Sequence, residues 1–398
     1  MRANSWVSIV GIYLFGVCGG STVSKIVPLA ADMGGEFGLS PSAFGWLVAM
    51  VAIPAAIFAI PSGVVVDRVG PKRVLVAAAL LGMVANAVYL MAPSLGMIRA
   101  ARLMEGLAIV HIYTAGPAML MATTTGDRRT RAMTLWSTYA PVGTAIGLAI
   151  GGLYSETANW PNVFVMHMAM FAAAGLLGLF QPDVRIAQRG ELRALRERLS
   201  EFGSAFARAP LILLGAAFFL IISMGLGINV TLPSYLAGVH GISVHAASNI
   251  VASVTLTMIV GSFVVGLLLP RGASMAMTFV MIAIASFCFG SLSFYPDLSL
   301  TLRWIVTTGW FISSGAALAT TLAALPLVAE RHRLGAAASL INFAGALAVL
   351  VNPPLWLGIA ASGEWQWFIL LLATGFCLAA ILLLGATRVA GVAARAEA

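Results

Sequence analysis

The chain has 398 residues, of which 60% are apolar and only 9% are Asp, Glu, Lys or Arg, with a formal net charge of +8; its mean hydropathy is +0.98. A soluble domain carries roughly 25% charged residues, so this chain cannot cover a water-exposed surface, and disorder, which needs low hydrophobicity and high charge, is excluded too. Its apolar segments are continuous rather than short and alternating, which excludes a transmembrane β-barrel and leaves a polytopic helical membrane protein.

A membrane span needs about 20 predominantly apolar residues. Twelve segments qualify, at about 6–30, 42–66, 74–92, 97–122, 132–154, 162–181, 210–236, 246–269, 274–294, 299–325, 335–360 and 366–387. Their ends carry breaker pairs such as Ser40-Pro41, Pro93-Ser94, Trp160-Pro161, Gln181-Pro182, Ala209-Pro210 and Tyr295-Pro296. The first run is too long for a signal-peptide core and lacks a small-residue cleavage site, so it reads as a retained helix. The longest hydrophilic stretch, 182–209, places Leu192, Leu195 and Leu199 on one helical face. It is expected to be an amphipathic linker on the cytoplasmic membrane surface, joining a six-helix half at 1–181 to a second at 210–387, with a cytoplasmic tail at 388–398. Cys18, Cys288 and Cys377 are scattered through apolar segments and read as packing residues, with no disulfide or metal framework.

The address of the charges sets the orientation. With the N-terminus inside, the inner segments hold Arg2, Arg68, Lys72, Arg73, Arg128, Arg129, Arg131, Arg185, Arg189, Arg193, Arg196, Arg198, Arg208, Arg271, Arg331, Arg333, Arg388 and Arg395, which is 18 of the 22 basic residues. The outer loops hold Asp32, Glu36, Glu156, Asp297 and Glu364, with Arg99 at an outer helix end. The positive-inside rule then puts both termini in the cytoplasm and accounts for the basic excess without nucleic acid.

The halves repeat at a shift of about 205 residues. Gly19–Pro28 at the end of the first span matches Gly225–Pro233 at the end of the seventh; Gly63 matches Gly266, Arg102 matches Arg303, and Trp160…Phe164 matches Trp365…Phe368. Parallel six-helix repeats about an axis along the membrane normal are a transporter architecture.

Between spans two and three stands Gly63-Val-Val-Val-Asp67-Arg68-Val-Gly70-Pro71-Lys72-Arg73. This resembles the loop motif G-x-x-x-D-R-x-G-R-[KR] of the major facilitator superfamily, with Pro71 in place of the usual Arg. Gly266-Leu-Leu-Leu-Pro270-Arg271-Gly272 is a degraded second copy, and Glu330-Arg331-His332-Arg333 resembles the pattern between spans ten and eleven. Arg102-Leu-Met-Glu105-Gly106 is similar to the family's R-x-x-Q-G, with Glu for Gln. Gly143-x-x-x-Gly147-Leu148-x-x-Gly151-Gly152 is similar to the antiporter motif G-x-x-x-G-P-x-x-G-G, with Leu148 for the Pro; small residues at this spacing also serve plain close packing. The resemblance implies an all-α fold of twelve transmembrane helices in two six-helix halves. It also implies alternating access and a cytoplasmic latch built from Gly63, Asp67, Arg68, Gly70, Lys72 and Arg73.

Inside the spans lie Lys25, Arg102, Glu105 and Arg303, with His111 and His167. An Arg within a span costs about 2.5–3.5 kcal/mol on insertion scales, so it should face a cavity or a partner. Arg102 and Glu105 share a helix face and read either as an internal ion pair or as a substrate or proton-coupling site. Lys25 and Arg303 either face the cavity or snorkel outward. The substrate or coupling candidates are Lys25, Arg102, Glu105, His111, Tyr113, Tyr139, Asn229, Arg303 and Asn342, with Ser24, Trp136, Tyr235 and Asn352 on the same helices. If the three bases face the cavity, it is cationic and suits a small organic anion. The degenerate span-five motif points instead to proton-antiport efflux of amphipathic compounds. The expected partners are a small solute, protons and the lipid bilayer of a bacterial inner membrane, with the chain a functional monomer. No cofactor is expected, no Walker motif is present, and His240 with His245 lacks a third ligand for a metal. A membrane enzyme would need a catalytic cluster at one membrane face, and a transport-dead sensor would need a larger soluble tail. Arg102→Ala is expected to abolish transport and leave folding intact.

Overall fold

The computed structural model describes residues 1–91, 94–184, 195–206, 208–272, 274–295, 297–328 and 334–396. Among these the regular structure is helical throughout. The chain divides into two compact units: Met1–Leu195 with Ser243–Ala252, and Arg196–Ile242 with Ser253–Ala398.

The first unit contains α1 (Trp6–Ser24), a 3-10 turn at Val27–Leu29, α2 (Ala30–Phe37), α3 (Pro41–Ala49), α4 (Ala52–Val69), α5 (Pro71–Leu90), α6 (Leu95–Thr123), α7 (Gly126–Trp136), α8 (Tyr139–Tyr154) and α9 (Asn162–Leu179). Several starts follow simple capping chemistry. Ser5 Oγ accepts from the Ser8 amide at 3.3 Å and Ser40 Oγ from the Ala43 amide at 3.2 Å. Between α4 and α5, Gly70 adopts φ +94, a backbone state that glycine reaches without strain. Pro71 then opens α5 at its first turn, where a missing N–H costs nothing. The departure from the family motif at Pro71 is therefore compatible with the local backbone.

The second unit contains α10 (Leu195–Ala205), α11 (Ala209–His240), the later part of α12 (Val244–Thr255), α13 (Met258–Leu268), α14 (Met275–Ser293), α15 (Leu300–Val328), α16 (Leu334–Ser362) and α17 (Trp365–Ala396). Leu192 and the loop Glu330–Arg333 lie outside the described residues; Leu199 in α10 is exposed. The stretch expected as a tail at 388–398 continues α17 as far as Ala396.

Eleven helical stretches of the described residues are long and apolar enough to cross a membrane. The remaining expected span, 132–154, fifth in chain order, is interrupted. Pro141 has no N–H for the carbonyl one turn earlier, and the helix breaks at Ser137 and Thr138 into pieces of 11 and 16 residues. Spans two and eight break as well, between α3 and α4 and between α12 and α13. At both breaks a carbonyl meets a glycine. A Cβ on Gly106 of α6 would run into the Val51 carbonyl, with its carbon 2.9 Å away, and one on Gly315 of α15 would run into the Met258 carbonyl, with its carbon 2.7 Å away. These pairs lie 207 and 209 residues apart (258 − 51 and 315 − 106), so the sequence repeat is also a repeat of packing.

The glycines of α8 do the same against α1. A Cβ on Gly143 would stand 2.7 Å from both Gly20 Cα and the Val17 carbonyl oxygen; one on Gly151 would stand 2.9 Å from Pro28 Cδ. Close helix approach of this kind needs small residues. By contrast, Gly266 of the degraded second motif has open space where its Cβ would lie. Gly143→Ala is expected to cost about 1–3 kcal/mol through overpacking against backbone that cannot yield. The check is the thermal midpoint of the detergent-purified protein, which should fall. Gly225→Ala, whose Cβ would meet Ser314 Oγ only at 3.7 Å, should leave it unchanged.

Candidate functional site

The first unit encloses a charge network. Lys25 follows the end of α1, Asn86 and Tyr89 lie on α5, Arg102 and Glu105 on α6, and His167 on α9. Lys25, Asn86, Arg102, Glu105 and His167 have no exposed surface. Lys25 Nζ donates to Asn86 Oδ1 at 2.5 Å, to Glu105 Oε1 at 2.5 Å and to His167 Nδ1 at 3.0 Å. The other carboxylate oxygen, Glu105 Oε2, accepts from Arg102 at 2.9 Å and from Tyr89 OH at 3.0 Å. Arg102 spends its remaining donors on backbone carbonyls, at Thr22 (2.9 Å), Leu47 (3.1 Å) and Val48 (2.9 Å). The stacked rings of Tyr89 and Phe164, 4.0 Å apart, form a wall beside the ammonium, which lies 5.2 and 4.9 Å from their centroids.

These bonds settle the histidine tautomer. An ammonium only donates, so Nδ1 of His167 must accept. Its Nε2–H therefore donates to Ser21 Oγ at 2.7 Å, and the Ser21 hydroxyl donates to the Cys18 carbonyl at 2.9 Å. Two cations and one carboxylate leave the network with a formal charge of +1.

The two snorkelling readings are not what the structure shows: Lys25 and Arg303 are both fully buried. Arg303 donates to the Ser293 carbonyl at 2.6 Å, the Tyr295 carbonyl at 2.7 Å and His240 Nε2 at 2.9 Å, with Tyr235 OH at 3.3 Å. Its role in the second unit thus mirrors that of Arg102 in the first: a guanidinium satisfying carbonyls of neighbouring segments. His240 is engaged by this arginine, whereas His245 bonds Asn249 at 3.1 Å.

The other candidates fall into a second group. His111, Tyr113 and Tyr139 are partly buried. The Tyr113 and Tyr139 rings lie 4.7 Å apart, and Trp136 lies 5.0 Å from Tyr139. Glycines seat these rings: a Cβ on Gly16 would stand 2.9 Å from Tyr139 Cβ, and one on Gly19 would stand 2.8 Å from the Tyr113 ring. His111 Nδ1 donates to the Leu107 carbonyl at 2.8 Å, so in the neutral ring Nε2 is the acceptor. In the second unit Asn229 Nδ2 donates to the Gly225 carbonyl at 3.0 Å while its buried Oδ1 has no partner among the described residues. Asn352 donates to Ser223 Oγ at 2.7 Å, and Asn342 is exposed. Of the loop motif, Asp67 and Lys72 are partly buried, and Arg73 pairs with Asp183 at 3.6 Å on the surface.

Sequence reasoning left Asn86, Tyr89 and Ser21 out of the site and did not give His167 a role. Asn86 and Tyr89 sit three apart on one face of α5, which is apolar beyond its basic first turn, and that is the signal that could have found them.

A fold of many long apolar helices is that of a multi-pass integral membrane protein. The sequence profile of the Major Facilitator Superfamily matches residues 9–318, so the chain belongs to that superfamily and is a multi-pass integral membrane protein. Curated relatives include Multidrug resistance protein 1 of Bacillus subtilis (strain 168), 27% identical over 206 residues, 51% of each chain. Another is the Drug efflux pump JefA of Mycobacterium tuberculosis (strain ATCC 25618 / H37Rv), 29% identical over 150 residues, 37% of this chain and 28% of that one. The Methylenomycin A resistance protein of Bacillus subtilis (strain 168) is 24% identical over 174 residues, 43% of this chain and 37% of that one. The chain spans between 28% and 51% of the length of these curated relatives. Among solved structures, a bacterial homologue of the human lysosomal transporter Spinster, inward-facing and unoccupied, superposes with TM-score 0.73 at 16% identity, covering 98% of this chain and 96% of that one. At that identity the likeness is one of fold.

The expectation that Arg102→Ala would spare folding does not fit this geometry, because Arg102 ties α6 to carbonyls at the end of α1 and in α3. Glu105→Gln should be worse still: it strands two buried cations, at a cost of about 3–5 kcal/mol. Adding Lys25→Met to Glu105→Gln should recover part of that loss. Thermal midpoints of the single and double variants check it; equal loss in both would show that Lys25 and Glu105 are not coupled.

Proposed function

We propose that this chain is a secondary transporter that exports amphipathic, aromatic solutes by alternating access in exchange for protons. The carrying observation is the Tyr113–Tyr139–Trp136 cluster. It is an uncharged aromatic set, its two tyrosines partly exposed over a buried tryptophan and seated on helix glycines, chemistry that recognises flat apolar bodies by stacking. The drug-resistance and efflux names of the relatives support the same reading. The organic-anion reading depended on Lys25, Arg102 and Arg303 facing a cavity. All three are sealed in intramolecular bonds, so nothing in the site now favours an anion.

Uptake of ethidium into inside-out proteoliposomes with an imposed pH gradient tests the proposal. We expect gradient-dependent accumulation in the wild type. Tyr139→Ala should weaken ethidium binding by about tenfold, the loss of one stacking partner plus its buried area. Accumulation indifferent to the gradient would refute proton exchange, and unchanged binding in Tyr139→Ala would refute the aromatic site.

The loop from Gly63 to Arg73 is, on this reading, a cytoplasmic latch that breaks and re-forms in each cycle. Asp67→Asn should then slow ethidium turnover by more than it weakens ethidium binding. The reverse pattern in paired transport and binding measurements would remove the latch role.

A further inference from the structure

The sequence contains 22 basic residues, and only two of them, Lys25 and Lys72, are lysines. Arginine serves everywhere else, including Arg102 and Arg303. Arginine is a fixed charge with a planar fork, whereas lysine is the cation that can shed its proton. The rarer residue sits where the network is most enclosed.

We propose that Lys25 is the proton-carrying group of this transporter and that His167 takes the proton from it. This rests on the proton-exchange reading above. The reasoning starts from what each member can lose. Arg102 is a fixed guanidinium. Protonating Glu105 would leave two buried cations with no counter-charge. Removing a proton from Lys25 instead leaves a neutral Arg102–Glu105 pair, the one discharged state in which no buried charge is unpaired. The groups facing Lys25 are Ser21 on its own helix, Asn86 and Tyr89 on α5, Arg102 and Glu105 on α6, and His167 and Phe164 on α9. Gly147 and Gly151 of α8 approach its backbone and add no charge.

The proton has a defined first step. The Nζ–H bond pointing at His167 breaks as an Nδ1–H bond forms. The Nε2–H bond then breaks toward Ser21 Oγ, and Ser21, buried and bonded to the Cys18 carbonyl in this structure, passes its own hydroxyl proton to a water molecule that enters when that bond opens. The products are a neutral amine, a neutral His167 in the opposite tautomer, an unchanged Ser21 and one hydrated proton. The amine keeps two N–H donors for Asn86 and Glu105, and its new lone pair accepts from Nδ1–H. Every hydrogen bond of the ammonium thus has a counterpart in the discharged state. What is lost is the Coulombic attraction between Lys25 and Glu105. Because Lys25 joins the end of α1 to α5, α6 and α9, proton loss loosens the hold of α1 on those three helices. That is the mechanical link between proton and conformation.

The two-lysine composition makes the test direct. Protein labelled with ¹⁵N at lysine Nζ, in lipid nanodiscs, carries two side-chain signals, and Lys72→Arg assigns them by leaving one. We expect the Lys25 nitrogen to pass from ammonium to amine over the same pH interval in which ethidium transport changes, and His167→Gln to displace that interval. In proteoliposomes, Lys25→Arg should lose about tenfold or more of pH-gradient-driven ethidium accumulation. A Lys25 nitrogen that remains ammonium across the transport interval overturns the proposal, as does gradient-driven accumulation in a folded Lys25→Arg protein. If Lys25→Arg does not fold, the wild-type titration still decides. A wild type that ignores the gradient defeats the proton-exchange reading instead, and the Lys25 signal then reports separately whether the residue ionises.

Discussion

The first unit is organised around one carboxylate. Glu105 accepts from Lys25, Arg102 and Tyr89, and each donor comes from, or reaches to, a different part of the unit. An ion this deep is tolerable only when opposite charges and hydrogen bonds replace its water. The side chains of α1, α5, α6 and α9 are therefore constrained to converge on it. The surrounding helices have little freedom left: the apolar stripes tell each helix which way is in, but lipid is as apolar as the core and gives weak guidance on register. Here the buried polar bonds supply that register, and the glycine contacts between α1 and α8 and between α4 and α6 fix how closely the helices approach.

The second unit uses the same devices with a different outcome. Arg303 again satisfies backbone carbonyls, and Gly315 again admits a carbonyl from a broken helix. Its guanidinium, however, meets a tyrosine hydroxyl and a histidine rather than a carboxylate. The repeat is thus conserved in packing and divergent in charge. The first unit buries a lysine and a carboxylate in contact, and the second buries the Asn229 oxygen with no partner among the described residues. The aromatic group and the sealed charges are separate: Lys25, Arg102 and Arg303 are fully buried, whereas Tyr113 and Tyr139 keep some exposed surface.

Much of this was legible from residue order. Span positions follow from runs of about 20 apolar residues, because outside a closed barrel only a helix satisfies its own backbone across hydrocarbon. The repeat and the loop motif around Asp67 named the superfamily. Arg102 and Glu105 were recognisable as a pair from their i, i+3 spacing. Lys25 and Arg303 were noticed but not placed, since a long side chain near a helix end can snorkel or turn inward with equal ease on paper. Asn86, Tyr89 and His167 were weaker still: isolated polar residues in apolar spans, with Asn86 and His167 bonded to Lys25 at separations of 61 and 142 residues.

By itself the sequence determined that this is a membrane protein, where its long apolar segments lie and which superfamily it resembles. Those properties depend on local hydropathy and short motifs, which are read one segment at a time. Only the tertiary structure decided that the intramembrane charges close on one another, that the span-five glycines bare α1 to α8, and that tyrosines rather than arginines are left partly open. Those outcomes depend on which helix faces meet, and no hydropathy pattern within a single helix encodes the identity of its neighbour.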